Sequence, residues 1–221
     1  MSTRIVTALG ATALLASVAA ADGSGNIETY MGDFALTTTN WDEAFSIPGF
    51  DTMGGDRVLK QIRIMLTGDV TGNAFAESLD AEPADINLFL QATLQLELTA
   101  SGTVLSEVIP VANETFMASA YDGMTDFGGT SGASFTGLNG SAMVTDILDS
   151  PSILANFIDV ASVDLTADAN GTSTGTGAGN LITQFATSAG LSWKVEYIWT
   201  PAPAGLAAFG VLGLGALRRR R

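Results

Sequence analysis

The longest regular pattern of apolar and polar positions lies near the middle of the chain, in the segment DINLFLQATLQLELTAS. Every second side chain there is apolar, and the apolar set is Ile86, Leu88, Leu90, Ala92, Leu94, Leu96 and Leu98. A period of two places alternate side chains on opposite faces of a β-strand, whereas a helix would spread these leucines around its whole circumference. The segment therefore predicts a strand with one buried face.

Two further segments alternate in the same way. In RVLKQIRIMLTGDVTG, the predicted inward side chains are Val58, Ile62, Ile64 and Leu66, and the outward ones are Gln61, Arg63 and Thr67. In LSWKVEYIW, the predicted inward side chains are Leu191, Trp193, Val195, Tyr197 and Trp199, and the outward ones are Ser192, Lys194, Glu196 and Ile198. Because each predicted strand has one apolar face, a second apolar layer must cover it.

Three segments are less regular. TVLSEVIPVANETF predicts a strand in which Pro110 marks an edge or a bulge, because proline cannot donate to a ladder of hydrogen bonds. VTDILDSPSILANFI stays ambiguous, because its apolar spacing fits a short helix that Pro151 interrupts. TADANGTSTGTGAGN, residues 166–180, has no apolar side chain larger than alanine and predicts a long loop.

The composition supports an all-β domain. The 221 residues include 25 glycines, and Ser, Thr, Asn and Asp recur between short apolar segments. These residues favour turns, and many turns between short strands are typical of all-β proteins. We expect an antiparallel two-sheet sandwich or jelly roll over residues 22–200, with short apolar helical segments at both termini.

The absence of cysteine and histidine removes several kinds of chemistry. The chain contains neither residue. It therefore has no disulfide, no thiolate nucleophile and no cysteine-based zinc or iron–sulfur site. A Ser-His-Asp triad and imidazole metal ligands are excluded for the same reason. No catalytic, cofactor-binding or metal-binding residue is predicted, and we expect the protein not to be an enzyme.

The N-terminus has the pattern of a secretory signal peptide. Arg4 is the only charge before the mostly apolar stretch 5–18, and small residues follow up to Ala21. A short positive region, an apolar region and an A-x-A-like site are the three parts of such a signal. We predict a signal peptide over residues 1–21, with cleavage between Ala21 and Asp22.

The C-terminus, TPAPAGLAAFGVLGLGALRRRR, has an unusual order of features. Pro201, Ala202 and Pro203 come first, an apolar run over 204–217 follows, and Arg218, Arg219, Arg220 and Arg221 end the chain. The apolar run is shorter than the roughly 20 residues that span a bilayer comfortably. The arginines would keep the end of the run on the cytoplasmic side. The prolines should break any strand arriving from upstream, which makes the tail an appendage.

This tail resembles the PEP-CTERM sorting signal of bacterial surface proteins, with Ala202 where the namesake motif has Glu. The resemblance implies recognition by an exosortase-like transpeptidase after export through the secretion translocase. It also implies transient anchoring in the inner membrane and a final place at the cell surface or in the extracellular matrix. A plain tail anchor is the alternative, and it would keep the tail.

Processing at both ends would leave a strongly acidic domain. Its basic residues would be Arg57, Lys60, Arg63 and Lys194, four against 23 acidic residues, which gives a net charge of −19. Such a charge repels nucleic acids and anionic lipid surfaces, so we expect no nucleic-acid partner.

The segment from Thr37 to Trp199 resembles the choice-of-anchor E domain. The matching positions are Phe50–Asp51, Gly54–Gly55, Val58–Leu59 and Leu66–Thr67–Gly68, and the closing VEYIWTP. Asp56–Arg57 depart from the family pattern, which has a simple Thr there. The resemblance implies no activity, because the family name records only that its members carry different surface-sorting tails.

Two acidic segments are candidates for Ca²⁺ binding. They are DAEPAD, with Asp80, Glu82 and Asp85, and DGMTDFGG, with Asp122 and Asp126. Ca²⁺ takes several carboxylate and carbonyl oxygens, but neither segment fits the EF-hand loop. Solvated acidic loops are the favoured interpretation, so no cofactor is predicted and Ca²⁺ remains the one candidate ion.

Carbohydrate chemistry is the alternative class of function. Two carboxylates would suffice for a glycosidase, but with 23 acids some pair falls within range by chance. Trp41, Trp193 and Trp199 have rings that can stack on sugars. Core packing explains Trp193 and Trp199 equally well, because they share the apolar phase of their strand. We therefore expect a non-catalytic structural or adhesive surface protein. The alternative is a carbohydrate-binding or carbohydrate-active β-sandwich protein with extracellular polysaccharide as its partner.

Overall fold

The computed structural model describes residues 16–18 and 26–202. In this part of the chain the strands are β1 Ala16–Val18, β2 Asn26–Thr38, β3 Trp41–Pro48, β4 Arg57–Ser78, β5 Ala84–Leu98, β6 Thr103–Val108, β7 Val111–Ala118, β8 Gly132–Leu148, β9 Ser162–Gly171, β10 Thr174–Thr176 and β11 Leu181–Pro201. The described helices are one 3₁₀ turn, Met53–Gly55, and one α-helix, α1 Pro151–Leu154.

The strands form two antiparallel sheets packed as a sandwich, so the predicted fold class is confirmed. Sheet A has the order β1-β2-β11-β4-β8. Sheet B has the order β10-β5-β9-β3, and β6 and β7 pair with the other edge of β5. β11 is an inner strand of sheet A, because it is hydrogen-bonded to β2 on one side and to β4 on the other.

The core lies between the two sheets, and β5 supplies much of it. All seven side chains predicted to face inward on β5 are buried, none more than 5% exposed. They meet β4 closely. A Cβ built on Gly68 would lie 2.5 Å from Cδ1 of Leu94, so the leucine occupies the space above the glycine.

The predicted facing of β4 and β11 is confirmed over most of their length. Ile62, Ile64 and Leu66 are buried on β4, as are the inward residues of β11 from Leu191 to Tyr197. At the start of β4 the prediction was wrong, because Leu59 is buried and Val58 is only half-buried. The ladder with β11 shifts between Gln61 and Leu59, and this bulge reverses the facing of the residues before it.

Two prolines occupy element boundaries. Pro110 separates β6 from β7, so the single predicted strand is two strands. Both pair with β5 at the edge of the sheet, which confirms the predicted edge position of Pro110. Pro151 does not interrupt a helix but begins one, as the first residue of α1. Proline suits that position, because its missing N–H has no intrahelical partner there.

The prediction of a long loop over residues 166–180 was wrong. Residues up to Gly171 belong to β9, and Thr174–Thr176 form β10. Ala167 and Ala169 are fully buried. β9 is hydrogen-bonded to β5 on one side and to β3 on the other. Backbone bonding on both edges therefore orders a strand whose side chains are small.

The predicted helical segments at the termini are mostly outside the described residues. Ala16–Val18 form a strand, not a helix, and pair with Ile27–Thr29 on the edge of β2. The rest of 1–21, the cleavage site at Ala21 and Asp22, and the C-terminal run 204–217 lie outside the described part. None of the helices within 16–18 and 26–202 is long and apolar enough to cross a bilayer.

Candidate functional site

The start of the predicted sorting signal lies at the end of β11. Pro201 is the last residue of that strand and is in register with Arg57 on β4. The N–H of Ala202 donates to the carbonyl of Asp56 at 2.7 Å. The strand therefore continues one residue past the expected break, since a proline at a strand end loses only one ladder bond. Pro203 and Arg218 to Arg221 lie outside the described residues.

The side chain of Arg57 contacts several strands at this end of sheet A, and we call this set of contacts the arginine clasp. The guanidinium of Arg57 lies 4.6 Å from the centre of the Phe50 ring and 4.5 Å from that of Trp199. It pairs with Glu28 of β2 at 2.6 Å, and its side chain is only 11% exposed. Its Nε also donates to the carbonyl of Asp51 at 2.9 Å. One side chain thus links β2, β4, β11 and the turn before β4.

The turn before β4 is fixed by side-chain hydrogen bonds. Both the N–H and the hydroxyl of Thr52 donate to Oδ1 of Asp159 at 2.9 Å, and the N–H of Met53 donates to Asp51 at 2.7 Å. Gly54 and Gly55 have φ of 71° and 100°, which glycine adopts without strain. Several positions that carry the choice-of-anchor E resemblance therefore lie together beside the start of the tail.

An aromatic cluster supports the clasp from within. The ring of Tyr197 contacts Tyr30, Phe50 and Phe157 edge-on, at centroid distances of 5.3 to 6.0 Å. Its hydroxyl donates to the carbonyl of Pro48 at 2.9 Å. Burial is the main reason why the pKa of Tyr197 is raised, so the phenol stays protonated. We call the arginine clasp, the turn 49–57 and this aromatic cluster the tail-exit end.

In the candidate Ca²⁺ segments, aspartate carboxylates accept hydrogen bonds from backbone N–H groups. Both carboxylate oxygens of Asp80 accept backbone N–H groups, from Gly179 at 2.6 Å and Asn180 at 3.0 Å. Asp126 accepts the N–H of Gly128 at 2.9 Å. Among the residues of 16–18 and 26–202, no three acidic side chains are grouped to hold a metal ion. The carboxylate of Asp80 thus ties its loop to the segment before β11, and that of Asp126 shapes its own loop.

Asp122 caps its loop in the same way. Its carboxylate accepts the N–H of Met124 at 3.0 Å and that of Thr130 at 3.4 Å. The bond from Met124 is the first reason why the pKa of Asp122 lies below its ordinary value. With a lowered pKa, the carboxyl of Asp122 ionises more readily than an ordinary aspartate. An ionised carboxylate suits a loop cap better than a general acid.

The three tryptophans pack inside the molecule and do not form an exposed row. Trp193 is buried and stacks on Phe45 at a centroid distance of 4.6 Å. Trp199 is half-buried beneath Arg57. Trp41 is half-buried and donates its indole N–H to the carbonyl of Ala189 at 3.3 Å. Core packing therefore accounts for all three rings, including the two for which the sequence left both interpretations open.

One group of carboxylates lies on the outer surface of sheet B. Asp42 and Asp168 are directly opposite each other on β3 and β9. Burial, then the negative charges of Glu97 and Asp42, raise the pKa of Asp168 above its ordinary value. A raised carboxyl pKa is a feature of general acids, but these groups lie on a sheet surface that has no counterpart layer. These carboxylates repel one another because they lie close together, but they do not line an enclosed site.

Two buried glutamates were missed by the sequence patterns. Glu196 was expected to face outward and does so, but Arg63 and Lys194 cover it with ion pairs of 2.5 Å. Burial opposes ionisation of Glu196, yet the hydrogen bonds from Lys194 and Arg63 outweigh it and lower its pKa. Charges of opposite sign on the predicted outward face were the available signal for this cluster.

No sequence pattern indicated that Glu77 is buried. It is fully buried, and its carboxylate accepts the Ser131 hydroxyl at 2.6 Å and the N–H of Phe127 at 2.8 Å. These partners lie about 50 positions later in the chain and belong to the loop that Asp122 and Asp126 shape. Glu77 therefore anchors that loop to the C-terminal end of β4.

Comparison with known proteins gives no family for this chain. No family model matches it, and no curated protein matches it. A structure of mud crab tombus-like virus aligns over 96% of this chain and 99% of its own, with 12% identity and a TM-score of 0.15. A structure of infectious bursal disease virus, Gt strain, aligns over 90% and 50%, with 15% identity and a TM-score of 0.14.

Proposed function

We propose that this protein is an exported bacterial surface or matrix protein of structural or adhesive function, carried to its place by the PEP-CTERM-like tail. The observation that carries the proposal is the origin of the tail at the end of an inner strand. β11 is bonded to β2 and β4 along most of its length, and the tail begins where β11 ends. A force that pulls on the tail would be distributed over the hydrogen bonds of β11 to both of its neighbours. This suits a domain that is held at a surface by its C-terminus.

The tail-exit end supports the same function. Arg57, Glu28, Phe50 and Trp199 hold together the strands and the turn that surround Pro201. Their contacts are with one another and with the backbone of the turn before β4. Under this proposal, the cluster keeps the domain folded up to the last residue before the tail while an enzyme works on the residues beyond.

The decisive measurement is the mass of the mature protein from its native host. We expect the surface form to begin at Asp22 and to lack Arg218–Arg221. Pro201→Ala combined with Pro203→Ala should leave membrane insertion intact and accumulate uncleaved precursor. Pro83→Ala, in an exposed loop, is the matched control and should be processed normally. A surface form that retains Arg221 would replace the sorting proposal with a plain tail anchor.

Replacing the four arginines tests the second part of the signal. With Arg218 to Arg221 changed to Ser, the positive charges that stop the chain at the cytoplasmic face are lost. We expect the precursor to pass through the membrane and to appear uncleaved outside the cell. Normal processing of this variant would show that the arginines have no part in sorting.

The carbohydrate-binding alternative has less support, because the three tryptophans that suggested it are packed against protein groups. A glycan array probed with the secreted protein, with and without Ca²⁺, compares the two classes. Binding to one class of polysaccharide would favour the alternative. Binding to no glycan, together with normal processing of the tail, is the result that we expect.

A further inference from the structure

The PEP-CTERM-like motif Pro201–Ala202–Pro203 crosses the boundary of the fold. Pro201 ends β11 in register with Arg57, and Ala202 donates its N–H to the carbonyl of Asp56 at 2.7 Å. Pro203 follows outside the described residues. Two of the three motif residues are therefore held at the end of sheet A.

The main chain of the first two motif residues has no free donor. Proteins that bind an extended segment use its main-chain N–H and C=O groups. Pro201 has no N–H, and Ala202 has already donated its own to Asp56. The Pro201 ring is exposed, and Ala202 is half-buried. Recognition through main-chain donors therefore begins beyond Ala202.

The turn that accepts this bond is itself held in place. The N–H groups of Gly55 and Arg57 donate to the carbonyl of Thr52, at 3.1 and 3.0 Å. The N–H of Thr52 donates in turn to Asp159 at 2.9 Å. The arginine clasp adds the contacts of the Arg57 side chain with two rings. Because the turn is held at several points, its carbonyl stays where the motif donates to it, and release of the motif is a local opening that costs free energy.

We propose that the fold sets the boundary of tail processing. The processing enzyme binds the chain from Pro203 onward, while Pro201 and Ala202 stay at the end of sheet A in the mature protein. Cleavage breaks one peptide bond beyond Pro203. The acyl group of that bond passes to water or to an acceptor amine, and the tail leaves with the new amino group. The inference rests on the sorting proposal and names the part of the motif that the enzyme reads.

Single proline variants in the native host test which proline is read. Loss of a ring from an apolar binding pocket reduces processing by about 10-fold or more, so Pro203→Ala should accumulate uncleaved precursor. Pro201→Ala is the matched control, because it makes the same chemical change two positions earlier, and it should be processed like the parent. The two forms are separated on a gel and identified by mass. Accumulation with Pro201→Ala alone, or none with Pro203→Ala alone, would overturn the inference.

The mass of the parent's mature form separates this inference from the sorting proposal. We expect a C-terminus at Pro203 or at a later residue that precedes the arginines. A mature form that ends before Pro203 would overturn the inference and leave the sorting proposal intact, because the tail would still have been removed. Retention of Arg221 would overturn both.

Hydrogen exchange of the Ala202 amide tests the bond to the turn without the enzyme. The uncut full chain is labelled with ¹⁵N, and its exchange in D₂O is followed by NMR. We expect the Ala202 amide to exchange at least about 10-fold more slowly than in the urea-unfolded chain. Arg57→Ala removes the side-chain contacts of the clasp and should accelerate this exchange, whereas Lys60→Ala, exposed on the same strand, should not. Exchange of Ala202 in the parent at the unfolded rate, or equal effects of the two variants, would overturn the inference.

Discussion

The guanidinium of Arg57 is stacked on Trp199, 4.5 Å from the ring centre, at the end of the strand from which the tail leaves. The arginine also contacts Phe50 and pairs with Glu28. A guanidinium packed against two neighbouring rings and paired with a carboxylate is largely desolvated, so each interaction is stronger than it would be on an open surface. Arg57, which departs from the family pattern in the sequence, is thus the central residue of the tail-exit end.

Arg57→Ala should therefore destabilise the domain. It removes two cation–π contacts and leaves Glu28, which is mostly covered, without its partner. We expect a loss of about 2–3 kcal/mol in the free energy of unfolding. For a domain of this size, that lowers the melting temperature by about 5–10 °C. Lys60→Ala, exposed and three residues away, is the control and should change it by less than 2 °C. Equal melting temperatures for the two variants would contradict the clasp.

Gly32→Ala should be destabilising because of the ring opposite it. Gly32 is in register with Trp193, and a Cβ on Gly32 would lie 2.7 Å from Cζ2 of that indole. Because Trp193 also stacks on Phe45, the ring has little room to shift. Overpacking of this kind costs about 1–3 kcal/mol, measured by urea unfolding. Gly179→Ala, whose Cβ would meet its nearest neighbour only at 3.4 Å, should be close to neutral.

Leu94→Asp should unfold the domain, while Thr93→Asp should leave it folded. Leu94 is fully buried above Gly68, and Thr93 lies on the other face of the same strand. An unpaired carboxylate in the core costs several kcal/mol, which is comparable to the stability of a whole domain. Far-UV circular dichroism with a thermal melt distinguishes the variants. A cooperative melt for Leu94→Asp would mean that the inner face of β5 is assigned wrongly.

The strands with large apolar side chains were predictable, because burial of one face imposes a period of two on the sequence. β5 is the clearest example, since all seven of its predicted core residues are buried. The bulge before Ile62 was not predictable, because it depends on the ladder with β11 and not on β4 alone. β9 was missed for a related reason. Its alanines carry little apolar signal, and its order comes from backbone bonds to β5 and β3.

The candidate sites depended even more on pairings that sequence does not reveal. The tail rests on a local pattern, an apolar run ending in arginines, and it stays a prediction. The contact of Arg57 with Trp199 is not local, and it follows only from the register of β4 against β11. The ion pair of Glu196 with Arg63 likewise joins two strands, and neither segment alone reveals it.

The paired carboxylates of sheet B give a pH-dependent prediction. Burial and the charges of Glu97 and Asp42 raise the pKa of Asp168, so the folded protein holds this proton to a higher pH than the unfolded chain does. In that window the folded state binds more protons. The free energy of unfolding therefore falls as the pH rises from the ordinary value of 3.8 through the raised one. At neutral pH the ionised Asp168 destabilises the fold.

Asp168→Asn should remove this penalty and raise the melting temperature at pH 7 by about 1–2 °C, the range expected for a surface change in a domain of this size. At pH 3 the carboxyl is already protonated, so the variant and the parent should melt together. Asp164→Asn, exposed on the same face of β9, controls for the general relief of negative charge. The test compares the melting temperatures of the two variants with that of the parent at pH 3 and at pH 7. If Asp168→Asn lowers the melting temperature at pH 7, or stabilises no more than Asp164→Asn, then repulsion from Asp42 and Glu97 is not what limits this face.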